Sequence, residues 1–200
     1  MKVLRCPVGG VAAANAISDY MGVDEGSIDV KEARVLCQGT CENTAAKYEY
    51  NGIDDCHAAN LLSGGMNACN FGCIGLGSCK KVCMFDAIVV ENGLARVIPE
   101  NCTGCGKCVA ECPKNIIKLI PVMSGFTVKC SSHDKGALTR KNCTVGCIGC
   151  QKCVKACPNA AIAMNNNLAV IDAEKCINCG ECEKVCPQKC IANTIVKRFA

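Results

Sequence analysis

The chain has 200 residues, a formal net charge of +4 and 23 cysteines, against no tryptophan and only 4% aromatic residues. Cysteine inflates its nominal hydrophobic fraction of 50%, so ordinary core material is thin and either disulfides or metal must hold the fold. The opening "MKVLRCPVGG" has no apolar export core, no run reaches the roughly 18 apolar residues of a membrane span, and Lys and Arg are scattered rather than striped, so secretion, a span in this chain and nucleic-acid binding are all disfavoured.

In chain order, residues 1–33 hold Cys6 and form the first of four expected segments. Residues 34–68 are a cysteine-containing connecting region. Its "CQGTC" (37–41) is too wide for a tight ligand loop but can still supply two ligands, and Cys56 follows a helix start at Asp54-Asp55.

From residue 69 onward the chain repeats. A shift of 74 positions superposes Cys69, Cys73, Cys79 and Cys83 on Cys143, Cys147, Cys153 and Cys157 without a gap. The same shift places Cys102, Cys105, Cys108 and Cys112 on Cys176, Cys179, Cys182 and Cys186, and Pro113 on Pro187. Two positions break the match: Leu76 faces Cys150, and Met84 faces Pro158. The two expected modules span 69–127 and 128–200.

Each module should run loop, helix, hairpin, loop, helix, closing strand. In "AIVVENGLARVI" (87–98) the central Asn92-Gly93 is a type I′ hairpin signal, and "AIAMNNNLAVI" (161–171) uses Asn at the same turn positions. Each C-x2-C-x2-C should be a tight loop entering a short helix that stops near Cys-Pro. The expected fold class is α+β: tandem two-[4Fe-4S] ferredoxin-like modules with a small cysteine-containing N-terminal region.

The spacing selects iron–sulfur chemistry. C-x2-C-x2-C puts three thiolates on one turning loop whose amides can point back at the sulfurs, and the fourth cysteine, three residues on, faces the partner cluster. The expected ligand sets are Cys147, Cys150, Cys153 with Cys186; Cys176, Cys179, Cys182 with Cys157; and Cys102, Cys105, Cys108 with Cys83. A fourth set has Cys73, Cys79 and Cys112, with Leu76 at the missing position and Cys69 as the nearest substitute. Structural zinc typically uses two separated C-x2-C pairs and needs neither a third cysteine at that interval nor the trailing Cys-Pro.

Four clusters, each roughly −2 when oxidised, would turn the formal +4 into a net negative charge. Eight cysteines remain: Cys6, Cys37, Cys41, Cys56, Cys69, Cys130, Cys143 and Cys190. Cys37, Cys41 and Cys56, with Cys69, are candidates for a fifth cluster, which would compete for the substitute ligand. Cys130 and Cys143 follow Cys37 and Cys69 in order along the repeat and are either extra ligands or relics of duplication. Cys190 reads as a plain side chain, and His57 and His133 as surface histidines. No P-loop, G-x-G-x-x-G turn or H-E-x-x-H is present.

The stretch "CQGTCENTAAKYEYNGIDDCHAANLLSGGMNACNFGCIGLGSC" followed by two ferredoxin-like modules resembles the B-subunit family of Rnf electron transport complexes, in the form found in clostridia and acetogens. The resemblance implies the iron–sulfur subunit of a membrane ferredoxin:NAD+ oxidoreductase coupled to Na+ or H+ translocation. It implies reduced ferredoxin as electron donor, other subunits of the complex as partners, and a peripheral place on the cytoplasmic side of the membrane. It also implies that "RCPVGGVAAANAI" is the tail of a further cluster domain, with Cys6 its last ligand. Lys80-Lys81 and Lys152/Lys155 are the candidate docking groups for an acidic ferredoxin. The competing readings are a soluble polyferredoxin, the iron–sulfur subunit of another anaerobic oxidoreductase, and a structural zinc protein. A colourless protein without sulfide would favour the last.

Overall fold

A computed structural model describes residues 10–22 and 30–194 of the chain. Cys6 therefore lies outside the described residues. A helix, α1 (Gly10–Met21), precedes the first strand, β1 (Lys31–Val35). The connecting region carries one short helix, α2 (Cys56–Leu61). Next come α3 (Ser78–Lys81), the hairpin β2 (Ile88–Glu91) and β3 (Leu94–Val97), a 3-10 turn at Pro99–Asn101, α4 (Lys107–Glu111) and β4 (Ile117–Pro121). The second module repeats this order with β5 (Phe126–Val128), α5 (Gly136–Asn142), α6 (Lys152–Ala156), β6 (Ile162–Asn165), β7 (Leu168–Ile171), α7 (Glu181–Lys184) and β8 (Ile191–Asn193). The fold is α+β, two ferredoxin-like modules in tandem.

Both hairpins turn as their sequences require. Asn92 (φ 49°) with Gly93 (φ 72°), and Asn166 (φ 44°) with Asn167 (φ 66°), occupy the paired left-handed positions of a type I′ turn. In each module the closing strand returns to pair antiparallel with the opening one. β4 pairs with β1, Ile117 opposite Val35, and β8 pairs with β5, Ile191 opposite Val128. This pairing crosses the sequence-based boundaries. β1 lies ahead of residue 69 yet belongs to the first module, and β5 straddles 127/128 yet belongs to the second.

The two cores are built from repeat-related residues. Cys73, Cys79, Ile88, Leu94, Ala95, Cys108 and Ile117 are buried together in the first. Their counterparts 74 positions on, Cys147, Cys153, Ile162, Leu168, Ala169, Cys182 and Ile191, are buried together in the second. Three of every seven of these core residues are cysteines, so each core closes only around whatever those sulfurs bind.

The modules touch along β1 and the segments that follow it. Arg34 and Glu32 form a buried ion pair at 2.9 Å. Arg34 also donates to the Ser124 carbonyl (2.6 Å) and the Thr127 hydroxyl (2.9 Å), which compensates the cost of burying its charge. The Ser131 hydroxyl donates to the Leu36 carbonyl at 2.8 Å, and the Gln38 amide to the Val145 carbonyl at 3.0 Å. A lone antiparallel bridge joins Thr44 to Cys143, and Phe71 meets His133 edge to face with centroids 5.7 Å apart. Among the described residues, no helix is long and apolar enough to cross a membrane.

Candidate metal centres

Four loops share one backbone design. Two residues after the first cysteine of each stands a left-handed residue: Gly75, Gly104, Gly149 or Asn178. Two residues further, just before the helix, stands another: Gly77, Gly106, Gln151 or Gly180. Three residues after each trailing cysteine comes a third: Asp86, Asn115, Ala160 or Lys189. The loop from Cys73 obeys this pattern although Leu76 replaces its middle cysteine. Loop geometry thus survives in the degenerate run, and only the middle cysteine is replaced.

The loop's path also demands small residues where it meets the rest of the module. A Cβ on Gly75 would lie 2.3 Å from the Gly93 carbonyl oxygen, at the tip of the adjacent hairpin. A Cβ on Gly149 would meet the Asn167 oxygen at 2.8 Å. Loop and hairpin tip are therefore packed backbone to backbone in both modules.

The cysteines border discrete cavities. Cys83, Cys102, Cys105 and Cys108 line one of about 330 Å3, its mouth included. Cys147, Cys150, Cys153 and Cys186 line another of about 340 Å3. Cys176 and Cys179 lie close enough to Cys182 for their charges to hold its thiol up, after the larger effect of burial. Cys157 packs against the core that contains Cys182, its sulfur accepting from the Ala161 amide at 3.3 Å.

The centre with the missing ligand is bordered by Cys73, Cys79, Cys112 and Cys56, in a cavity of about 390 Å3. Cys56 and not Cys69 therefore stands at the gap left by Leu76. Cys56 opens α2, whose N-cap is Asp55: its carboxylate accepts from the Ala58 amide at 2.8 Å and from the Ser78 hydroxyl at 3.1 Å. That hydroxyl in turn accepts from the Cys56 amide at 2.7 Å. Ser78 belongs to the helix that carries Cys79, so this chain of bonds ties the substituting cysteine to the loop it completes. The helix-start signal at Asp54-Asp55 is visible in the sequence. Its target is not.

The expected grouping of Cys37, Cys41 and Cys56 is not brought together. Cys56 lines the cavity just described. Cys41 is exposed and lies at the β2–β3 turn, its amide donating to the Asn92 carbonyl at 2.9 Å. Cys37 and Cys69 instead share a separate cavity with Cys130 and Cys143. His57 and His133 are exposed, the first against the Glu111 carbonyl and carboxylate, the second against the carbonyls of Asn165 and Asn166.

Burial pushes the Cys79 thiol up to about 12, and the neighbouring Cys73, Cys56 and Cys112 add to the shift. It likewise pushes Cys37, Cys108, Cys130 and Cys153 up to about 11. Several thiolates cannot crowd together in an apolar pocket unless a cationic core balances them, and bound metal deprotonates such thiols outright. Tetrahedral zinc, with Zn–S about 2.3 Å, would draw four sulfurs to within about 4 Å of one another. A third cysteine at the same interval and a trailing Cys-Pro, which a zinc site does not use, give these sites the ligand pattern of a polynuclear core instead.

The sulfur nearest to an exception is Cys190. It lines the Cys147 cavity and lies 3.6 Å from the Cys186 sulfur, a contact in which either atom can donate. The neighbouring Cys190 side chain holds the Cys147 thiol below its ordinary value, and Cys147 raises that of Cys190. Cys190 occupies the repeat position that Ile116 fills in the first module.

Comparison with known proteins agrees with this geometry. A family described as a 4Fe-4S dicluster domain matches residues 146–190, and one described as a 4Fe-4S binding domain matches residues 95–118. Over 191 residues the chain is 50% identical to the B subunit of the Na(+)-translocating ferredoxin:NAD(+) oxidoreductase complex of Acetobacterium woodii, covering 95% of this chain and 57% of that protein. It is 44% identical over 168 residues to the B subunit of the proton-translocating ferredoxin:NAD(+) oxidoreductase complex of Clostridium ljungdahlii, covering 84% and 59%. It is 40% identical over 174 residues to the B subunit of the ion-translocating oxidoreductase complex of Methanosarcina acetivorans, covering 86% and 66%. The chain thus spans somewhat more than half the length of these relatives.

Proposed function

The chain belongs to the B-subunit family of ion-translocating ferredoxin:NAD+ oxidoreductase (Rnf) complexes, and from that premise we propose that it relays single electrons from reduced ferredoxin to other subunits of such a complex. Its place in this reading is peripheral, on the cytoplasmic side of the membrane that the complex spans. The observation that carries the reading is the fourfold loop geometry, with sulfurs gathered around cavities in both modules.

We assign four [4Fe-4S] sites. Their ligands are Cys102, Cys105, Cys108 and Cys83; Cys73, Cys79, Cys112 and Cys56; Cys147, Cys150, Cys153 and Cys186; and Cys176, Cys179, Cys182 and Cys157. A [4Fe-4S] group supplies one-electron chemistry when bound. The chain's own part is to hold, bury and tune. The Ala33 amide donates to the Cys102 sulfur at 3.4 Å and the Ala161 amide to Cys157, and such bonds favour the more negative, reduced state. The trailing cysteines fold each module's two sites against one core, which keeps the sites of a pair adjacent.

Docking falls to exposed lysines beside these sites. Lys81 on α3 and Lys155 on α6 are repeat counterparts, and both are exposed, as are Lys80 and Lys152. An acidic small ferredoxin would meet one of these helices, and opposite charge there raises the encounter rate at low salt.

The test is anaerobic purification followed by iron and acid-labile sulfide analysis and stopped-flow reduction by reduced ferredoxin. The reading expects a brown protein rich in sulfide that ferredoxin reduces rapidly, with the rate falling several-fold on Lys81→Glu or Lys155→Glu at low salt. A folded protein free of inorganic sulfide would overturn it.

A further inference from the structure

The cavity between the modules answers to none of the four ferredoxin-type sites. Cys37, Cys69, Cys130 and Cys143 line it, and its space, open mouth included, is about 400 Å3, close to the 330 to 390 Å3, mouths likewise included, at the three sites described above. We propose that these four cysteines ligate a further [4Fe-4S] cluster, two ligands from each module, at the junction of the two. This rests on the iron–sulfur reading of the chain and goes beyond it, since no ferredoxin motif contains any of the four.

Four observations carry the assignment. The first is symmetry. Cys37 lies two residues past β1 and Cys130 two residues past β5, while Cys69 and Cys143 are 74 positions apart, as the repeat requires. Each module therefore contributes the same pair of cysteines to the cavity.

The second is mutual proximity. Cys69 is close enough to Cys37, Cys130 and Cys143 for charge on one to bear on the next. A Cβ built on Gly39 would lie 3.5 Å from the Cys143 sulfur and 3.8 Å from the Cys37 sulfur, so sulfurs from different modules face one point.

The third is the cradle. Gly72 and Gly146 are repeat counterparts, and a Cβ on either would come within 4 Å of Cys69 or of Cys130 and Cys143. A Cβ on Gly39 would strike the Thr44 hydroxyl at 2.5 Å. Small residues thus let the backbone pass close to these sulfurs.

The fourth is the supply of donors. The Cys73 amide donates to the Cys37 sulfur at 3.5 Å and the Ser132 amide to the Cys130 sulfur at 3.4 Å. The half-buried Lys129 also borders the cavity, and an anionic group there would offset the cost of burying its charge.

Binding balances simply. Each thiol releases its proton to solvent as its sulfur binds iron, four protons per site, and the core is assembled from the same iron and sulfide that fill the other sites. The completed group carries roughly −2 when oxidised. Placed at the junction, it would give electrons a route between two modules whose own sites are otherwise separated by the interface.

The experiment counts iron and acid-labile sulfide per chain after anaerobic reconstitution, on the wild type, on Cys37→Ala/Cys143→Ala and on a Cys41→Ala control. The proposal expects about 20 of each in the wild type and control, and about 16 of each in the double variant, with the four ferredoxin-type signals retained in its EPR spectrum. About 16 in the wild type, or about 20 unchanged in the double variant, would overturn it. Should the double variant lose its fold and all its iron, the wild-type count alone decides between 20 and 16. A wild type with no sulfide at all refutes the iron–sulfur reading itself, an outcome distinct from either.

Discussion

The backbone amide of Cys73 donates to the sulfur of Cys37 at 3.5 Å, so a single peptide links a residue of a ferredoxin-type site to the cavity between the modules. The relation is duplicated: the Cys147 amide faces the Cys130 sulfur 74 residues on. One hydrogen-bonded peptide on each side is therefore all that separates the junction from the neighbouring site of either module. Partly reduced protein should accordingly show EPR spectra broadened by spin coupling between sites. Cys37→Ala/Cys143→Ala should narrow the signals assigned to the Cys73 and Cys147 sites and leave those of the Cys102 and Cys176 sites unchanged. Identical line shapes in the two proteins would show that the junction holds no paramagnet.

Cys56→Ala should remove about four irons per chain, because its sulfur closes the cavity shared with Cys73, Cys79 and Cys112. Cys69→Ala should leave that site filled. Leu76 packs against the cluster of residues that contains Cys56, and its repeat counterpart is Cys150. Leu76→Cys in the Cys56→Ala background should therefore restore the lost iron by returning the ligand to its ferredoxin position. Iron and sulfide analysis checks the first and third statements; EPR that resolves the sites checks the second, because Cys69→Ala should cost the junction site about four irons of its own.

Ser78→Ala should destabilise the same site without touching a ligand. Its hydroxyl accepts from the buried Cys56 amide and donates to Asp55, so deletion strands a buried donor at a cost of about 1–3 kcal/mol. In a chain of this size that lowers Tm by about 2–4 °C per kcal/mol, readable by calorimetry on the loaded protein. Asp55 adds a pH dependence. The Ala58 amide bond holds its carboxyl below the ordinary carboxylate range. A lowered folded-state pKa contributes stability that is present above that range and is lost as pH falls through the folded value. Iron release from the Cys56 site on acidification should begin at higher pH in Asp55→Asn than in the wild type.

The periodic features of the chain can be read directly. The 74-residue repeat, the two Asn-rich hairpins, the loops and the trailing cysteines all rest on local chemistry: left-handed turn residues and fixed cysteine intervals. What cannot be read depends on the insertion. Cys37 and Cys69 are 32 positions apart and Cys130 and Cys143 only 13, so a gap-free shift of 74 aligns Cys56 with Cys130, although the strand ends align Cys37 with Cys130. That coincidence hides the grouping of these cysteines. The opening strand is hidden for another reason. "KEARV" has charged residues at three of five positions, and two of them, Glu32 and Arg34, are buried as an ion pair at the module interface. Hydrophobic alternation, the usual sign of a strand, is absent where burial is satisfied by charge pairing.

Two glycines with nearly the same backbone angle should respond differently to alanine. Gly106 (φ 80°) would place its Cβ 3.7 Å from Leu119, ordinary contact, so Gly106→Ala costs only the left-handed penalty of about 1–2 kcal/mol and keeps its iron. The chain already carries a side chain at the equivalent position, Gln151 (φ 60°). Gly75 (φ 86°) would drive its Cβ to 2.3 Å from the Gly93 oxygen, a backbone atom that cannot swing aside. Gly75→Ala should separate loop from hairpin and lose about four irons. Equal iron content in the two variants would contradict the backbone-to-backbone packing.

Cys190→Ala isolates the effect of one donor on one site. Cys190 shares the cavity of the Cys147 site and lies 3.6 Å from the Cys186 sulfur, where it can donate its S–H, and the first module has the apolar Ile116 at the same repeat position, so the residue is not required as a ligand. A donor to a coordinating sulfur favours the reduced, more negative state and raises the potential. Its removal should lower the potential of the Cys147 site alone, with iron content unchanged and the other sites unmoved in a potentiometric EPR titration. A loss of about four irons instead would make Cys190 a ligand and reassign the site.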